Sequence, residues 1–399
     1  MPTRDSIARN LRELGGGLGD LGTLLPLAIL LIVNNGLSPV AVFCFVGLHY
    51  LITGFYFRIP LPVQPLKAMA VIAIATGASA RLIGATGIWM GVILLLLAAT
   101  DLAGLLSRIF TKPVVRGIQL AVGLFLVQKG LELVINPPSG FAASGPSGGG
   151  IWVMMGLAAV SGVIVLGLSV QHKIPATLVI LPMGFLVGLF MAPAGSMPAI
   201  GGDLTIPALL PPTWNDLAGA FLLMVVPQLP LTFGNSVVST CHISRDYFGE
   251  AAKRVTPRSV CVSLGIGNLI GGFFGAMPCC HGAGGLTAHY SFGARTGRAT
   301  VFLGALFVGA GLMFGDAVHG LFALIPPAVL GVLLVYVGIE HCMMIRDVLP
   351  HRRAAFLALL IGGVALGTRN IALGFAVGMV VGLLMKRFPK MMEERGRLP

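Results

Sequence analysis

Runs of apolar residues, each close to twenty long and separated by short polar stretches, recur along the whole of this 399-residue chain. About 20 apolar residues cross the hydrocarbon core of a bilayer as a helix. Such segments fall near 20–35, 39–57, 62–78, 84–106, 113–135, 151–170, 174–192, 215–238, 257–275, 279–290, 299–315, 318–342, 353–367 and 370–387. These fourteen segments predict an all-α polytopic membrane protein, with the third and tenth looking short. Composition agrees: 56 % of the residues are hydrophobic and 10 % charged, where a soluble domain carries roughly 25 % charged residues. The polar, basic residues 3–15 ahead of the first segment lack the apolar core and cleavage site of a signal peptide.

Charge tests the count independently. An even number of spans puts both termini on one side. That side collects the N-terminal arginines, Arg58, Arg108, Lys112, Arg116, Lys173, Arg245, Lys253, Arg254, Arg258, Arg295, Arg298, Arg346, Arg352, Arg353 and the basic C-terminal tail. The opposite loops at 34–38, 136–150 and 193–213 contain neither Lys nor Arg. This asymmetry predicts a multi-pass protein of the cell (inner) membrane with both termini in the cytoplasm. The net charge of +12 is spread in small groups beside apolar segments, so nucleic acid is not an expected partner. The six cysteines show no framework spacing, and disulfides are not expected.

The loop 193–213 divides the chain into two halves, 1–192 and 193–399, of seven segments each. Seven is odd, so the halves have opposite orientations. Each half offers an interrupted first segment and a short third one: GDLGTLLPL at 19–27 and RIPLPVQPLKAMA at 58–70, then VVPQLPLTFGNSVVS at 225–239 and PCCHGAGG at 278–285. Interrupted segments at matching positions of inverted repeats point to the binding site of a transporter.

The most disruptive of these stretches is GAMPCCHGAGGLTAHYSFGARTG at 275–297. Glycine and proline inside a span free backbone groups that need partners in hydrocarbon. Residues 277–282 therefore read as unwound, with a half-helix starting near Ala283 whose free N–H groups and positive dipole end suit an anion. A ligand-free, close-packed helix crossing is the competing reading. In the third segment a second half-helix is expected from about Pro65, with Gln64 before it and Lys67 near its positive end. Lys67 either holds an anion or snorkels to the interface. Gln228, Thr232 and Asn235, by steps of four and three, and Ser236 are neutral donors and acceptors for a ligand or a neighbouring helix. His281, Gly282, Ala283 and Gly284 complete the candidate substrate-binding set. Acidic residues lie at segment ends, and Asp20 is the candidate coupling carboxylate. The Cys–His neighbours 241–242, 280–281 and 341–342 diverge on a helix, so no metal or other cofactor is expected. GIGNLIGG at 265–272 reads as helix packing. No carboxylate accompanies His281 and His289 in their segment, which argues against an intramembrane enzyme.

Together GDLGTLLPL at 19–27, PVQPLKAMA at 62–70, TFGNSVVSTCHISRDYFG at 232–249 and PCCHGAGGLTAHYSFGARTG at 278–297 resemble the molybdate transporter family, related to the sulfate permease anion transporters. The resemblance implies seven plus seven inverted spans. Spans 1–4 and 8–11 form a core carrying the anion between the half-helices of spans 3 and 10, and spans 5–7 and 12–14 form a gate. It implies elevator-like secondary transport of a tetrahedral divalent oxyanion, molybdate foremost, with tungstate and sulfate as competitors of equal charge and shape. A nucleobase-type permease would need an acid pair in spans 8 and 10; a passive channel stays open because no coupling site stands out. The expected partners are the oxyanion and the lipid bilayer, and a homodimer stays open. Unlike the wider sulfate permeases, no C-terminal regulatory domain is expected after Arg387.

Overall fold

The computed structural model describes residues 13–100, 110–138, 141, 150–171, 174–192, 204–315 and 317–387. Most of residues 3–15, Asp101, Arg108, Lys173, Asp316, most of the loop 136–150, part of the loop 193–213 and the tail after Arg387 lie outside them.

The protein is a bundle of apolar helices. Among the described residues, seven are long and apolar enough to cross a membrane: 13–35, 39–57, 80–99, 112–135, 150–171, 214–252 and 327–347; a bent pair, 298–314 with 317–323, would add an eighth. In chain order the helices are α1 (Leu21–Asn35), α2 (Pro39–Phe57), α3 (Lys67–Thr76), α4 (Ala80–Ala99), α5 (Lys112–Ile135), α6 (Gly150–Gln171) and α7 (Ala176–Met191). They continue as α8 (Trp214–Ala252), α9 (Pro257–Phe273), α10 (Ala283–Ser291), α11 (Arg298–Phe314), α12 (Pro327–Met343), α13 (Arg352–Thr368) and α14 (Ile371–Arg387). Helix α6 has most of its surface outside the bundle, with large apolar side chains such as Trp152, Val163 and Val170 exposed. That is the surface a bilayer would cover.

Three helix pairs form the frame: α2 with α11, α4 with α9, and α5 with α12. Each crosses where glycines face each other, Gly47 with Gly304, Gly84 with Gly272, and Gly123 with Gly338. A Cβ on either partner would stand 2.6–2.8 Å from the other's carbonyl oxygen, so these backbones approach as only small residues allow. Lys112 and Arg116 of α5 also pair with Asp347, beyond the end of α12, at 3.0 and 2.6 Å.

Two segments differ from the sequence expectation. Helix α8 does not stop near 238. A capping box of Thr213 and Asp216 starts it, no glycine or proline falls between Asn235 and Phe248, and only at Gly249, whose φ is +52°, does it pass into a closing 3-10 turn that ends at Ala252. The apolar run 318–342 is two helices, Ala317–Ala323 and α12. Pro326 and Pro327 separate them, because neither has an N–H to carry the helix on.

Candidate functional site

The third and tenth segments are extended chains leading into short helices. Gln64–Pro65 (β1) pairs antiparallel with Cys279–Cys280 (β2), Gln64 opposite Cys280 and Pro65 opposite Cys279. Helix α3 leaves this strand pair at Lys67 and α10 at Ala283. Local sequence dictates the break. Pro60, Pro62 and Pro65 carry no N–H, and proline disfavours the α-conformation in the residue before it; Pro278 does the same for the second strand. The pairing bonds supply the partners that backbone needs inside a membrane protein.

Three side chains hold the strand pair. Asn268 of α9 clamps Cys279 by both backbone groups, donating from Nδ2 to its carbonyl at 2.8 Å and accepting its N–H at Oδ1 at 2.7 Å. His281 donates from Nδ1 to the Pro62 carbonyl at 2.7 Å. That fixes its Nε2 as an acceptor, which meets the Ser263 hydroxyl at 3.0 Å, and Ser263 in turn meets His49 at 3.2 Å. Thr240 reaches the His281 carbonyl at 2.7 Å. The far end of α3 is closed by Asn35, whose amide donates to the Ala73 and Ala78 carbonyls at 2.8 and 2.9 Å.

The helix starts are open by contrast. In α10 the N–H groups of Ala283, Gly284 and Gly285 have no acceptor among the described residues, and neither do those of Lys67 and Ala68 in α3. Met69 donates its N–H to Gln228 Oε1 at 3.1 Å, and Gln228 Nε2 donates to Thr232 at 2.9 Å. Two positive helix ends therefore point into one region.

A buried polar chain crosses it. Lys67 Nζ donates to Gln64 Oε1 at 2.9 Å, and Gln64 Nε2 donates to Asp20 Oδ1 in a short hydrogen bond. Lysine can only donate and ionised aspartate only accept, so the Gln64 amide has one workable orientation. Asp20 and Lys67 are 3 % and 5 % exposed, and Asp20 Oδ2 has no partner. Helix α10 fits against this chain because of two glycines. A Cβ at Gly282 would collide with Gln64 Oε1, and one at Gly285 would stand 2.6 Å from Asp20 Oδ2.

Asp20, Gln64, Lys67 and Gly284 line a cavity of about 230 Å³. At Gly284 a Cβ would meet nothing within 4 Å. The opposite wall is Ser169 of α6, Thr177 of α7, and Tyr336, Glu340 and His341 of α12. Gln228, Thr232, Asn235, Ser236, His281, Gly282 and Ala283 lie around the strand pair and helix starts rather than on the cavity wall. Along α8 the buried polar row runs Gln228, Thr232, Ser236, Thr240 by steps of four, with Asn235 half-buried on its flank. The π-helical turns at Phe221–Val225 and Thr232–Ser239 widen the helix enough to keep residues four apart in line.

A sequence profile described as "Molybdate transporter of MFS superfamily" matches residues 12–126 and 220–340. Molybdate transporter 2 of Arabidopsis thaliana is 34 % identical over 412 residues, covering 94 % of this chain and 87 % of that protein. The chain belongs to the molybdate transporter family. Molybdate transporter 1 of Chlamydomonas reinhardtii is 29 % identical, covering 96 % and 95 % of the two chains. The fold is shared with solute carrier 26 family member A9, at TM-score 0.70 and 16 % identity over 97 % of this chain and 67 % of that one. It is also shared with the transmembrane domain of the cyanobacterial bicarbonate transporter BicA, at TM-score 0.65 and 18 % identity over 93 % and 97 %. These relatives are transporters, not enzymes. The two stretches matched to the family profile hold the whole Asp20–Gln64–Lys67 chain and both short helices, while α6 and α7, which complete the cavity, fall between them.

Sequence reasoning passed over Asn268, Ser263 and His49, which brace the strand pair, and the cavity wall on α6, α7 and α12. Asn268 carried a signal: an amide inside GIGNLIGG costs several kcal/mol to bury unless it is hydrogen-bonded.

Proposed function

We propose that the protein is a secondary transporter of a tetrahedral divalent oxyanion, with molybdate the foremost substrate. One observation carries this: the open N–H groups of α3 and α10 and the ammonium of Lys67 converge beside one small cavity. Helix N-termini and a single cation suit a compact dianion, and donors already fixed in place need little reorganisation to receive it. The substrate named for the relatives selects molybdate among anions of equal charge and shape. Gln64, Lys67, Gly284 and the α10 N–H groups are the contacts in this reading. Gln228, Thr232, Ser236, His281 and Gly282 hold the helix starts in place, with Asn235 beside them and Ala283 the first open N–H of α10.

The topology belongs to the same reading: fourteen spans, repeats 1–192 and 193–399, α1–α4 with α8–α11 as core, and α5–α7 with α12–α14 as gate. The pairing of α2 with α11 and α9 with α4 supports it, since exchanging the halves turns one pair into the other, and α5 with α12 maps onto itself. The anion cavity lies between proposed core and gate, so sliding the core would carry the anion across in an elevator-like step. It extends to Ile174 and Met344, near Arg346 at the cytoplasmic end, which makes this arrangement inward-facing. Asp20 is the coupling group: its carboxylate competes with a dianion for Lys67 and the helix ends, so taking up a proton favours loading.

The decisive experiment is uptake of radiolabelled molybdate by the purified protein in liposomes, with and without an inward proton gradient. Accumulation driven by the gradient and competed by tungstate is expected; uptake no greater than in protein-free vesicles overturns the reading. Labelling a cysteine placed at Ser144 tests the topology, and reaction from the cytoplasmic side alone would defeat it. Whether two copies form a homodimer in the bilayer is read from crosslinking in the same vesicles.

A further inference from the structure

A second cavity, apolar and larger, lies away from the anion site. It is a groove of about 590 Å³ between α2 and α9. One wall is Phe45, Leu48, Ile52 and Tyr56; the other is Val262, Ile266 and Ile270. Each set recurs at three- and four-residue steps, so each is a single helix face. These faces are outward: Ile52 is 55 % exposed and Ile270 48 %. From Phe45 to Tyr56 the wall rises about 16 Å at the helical pitch. That is half of a hydrocarbon core of roughly 30 Å, the depth of one leaflet.

The two ends of the groove differ in charge. Near Phe45 and Ile270 it is wholly apolar. At the other end stand Tyr56, Thr256 and Arg258. The chain from Arg245 to Arg258 carries Arg245, Lys253, Arg254 and Arg258 against Asp246 and Glu250, a net positive border. Arg254 is occupied: it donates to the Tyr56 carbonyl at 2.8 Å and lies 5.7 Å from the centre of that ring. Arg258 is exposed and has neither a hydrogen bond nor an ion pair among the described residues. The Thr256 and Ser259 hydroxyls are already engaged in the capping box of α9, so the available charged donor at this end is this guanidinium, with the Tyr56 hydroxyl beside it.

We propose that the groove binds an acidic membrane phospholipid, one acyl chain lying along α2 and α9 and the headgroup phosphate on Arg258. A guanidinium pairs with phosphate in a bidentate manner, and the length and apolarity of the groove fit a chain of one leaflet. Assignment to the cytoplasmic leaflet rests on the topology proposed above; selection by headgroup does not. The position has a structural consequence. His49 and Ser263 line the groove and continue through hydrogen bonds to His281 and the Pro62 carbonyl. A bound chain therefore covers the outer end of the brace that holds the strand pair of the anion site.

The test exchanges purified protein in mild detergent into an equimolar mixture of phosphatidylglycerol and phosphatidylcholine and reads retained lipid by native mass spectrometry. Wild-type protein should retain phosphatidylglycerol selectively. Arg258→Gln should lower that retention by about fivefold, the effect of one basic residue at a membrane surface, and leave phosphatidylcholine unchanged. Ile266→Trp, which fills the groove from an exposed position, should lower retention of both lipids. Monodisperse elution checks that the variants are folded. Equal retention of the two lipids by wild-type protein, as expected if a partner helix or no ligand at all fills the groove, overturns the proposal. So does selectivity that survives both substitutions.

Discussion

Lys67 heads one short helix and a run of glycines heads the other. Helices α3 and α10 leave the two strands of one antiparallel pair, yet they bring different chemistry. Helix α3 brings the charge, and one of its free donors, the Met69 N–H, is already taken by Gln228. Helix α10 brings no charge. Gly282 and Gly285 let it lie against Gln64 and Asp20, and Gly284 leaves room above its first turn. Its own side chains serve as braces: His281 ties back to Pro62, and His289 to Pro60 at 2.8 Å. The difference suggests a division of labour, in which α3 sets the electrostatic attraction and α10 sets the shape and the directed donors.

The largest effect should come from the shape side. Gly282→Val drives a branched side chain into Gln64, breaking the contact that orients both Lys67 and Asp20. Oxyanion binding, measured by calorimetric titration in detergent, should be lost while the protein remains folded and membrane-inserted. Wild-type affinity would mean that α10 is packing alone. Next comes the charge. Lys67→Met keeps length and removes one charge-assisted hydrogen bond, a loss of about 1.5–3 kcal/mol. Binding should weaken by roughly 10- to 150-fold. Unchanged affinity would transfer the attraction from Lys67 to the helix ends. Asp20→Asn should act on coupling before affinity: the site still binds, but uptake no longer responds to the proton gradient. A persistent gradient response would remove Asp20 from the coupling role.

Both chain breaks were legible because proline and glycine act locally: Pro62, Pro65 and Pro278 disrupt the helix wherever the rest of the chain lies. Lys67 stood out because an ammonium is costly inside an apolar segment, Gln64 because Pro62 and Pro65 bracket it, and Asp20 as a carboxylate at the end of the interrupted first segment. Their joining was not legible. Gln64 and Cys280 pair across more than 200 residues of chain, and no periodicity reports a partner that distant. Nor could the sequence reveal the π-helical turns of α8, which bring Ser236 rather than Asn235 into the buried row. His281 shows the limit most clearly. Its type pointed to a ligand-facing or titrating group, but could not report the distant partners, Pro62 and Ser263, that engage both of its ring nitrogens. The wall on α12 was obscured for a related reason: Glu340 and His341 follow an apolar run and read as its end.

The smallest predicted effect tests whether bracing and binding are separable. The Thr240 hydroxyl lies 2.7 Å from the His281 carbonyl and 3.0 Å from that of Asn235, linking α8 to the base of α10. Thr240→Val keeps the shape and removes the donor, leaving a buried carbonyl short of a partner at a cost of about 1–3 kcal/mol. That cost falls on the folded state with and without anion, because Thr240 touches neither the cavity nor Lys67. The variant should therefore unfold at a lower temperature in detergent, while its oxyanion affinity changes by less than about fivefold, or 1 kcal/mol. Thr240→Ser, which retains the hydroxyl, should recover most of the stability. An affinity loss as large as that of Lys67→Met would show that the position of α10, which this bond helps to hold, governs binding as strongly as the charge on α3.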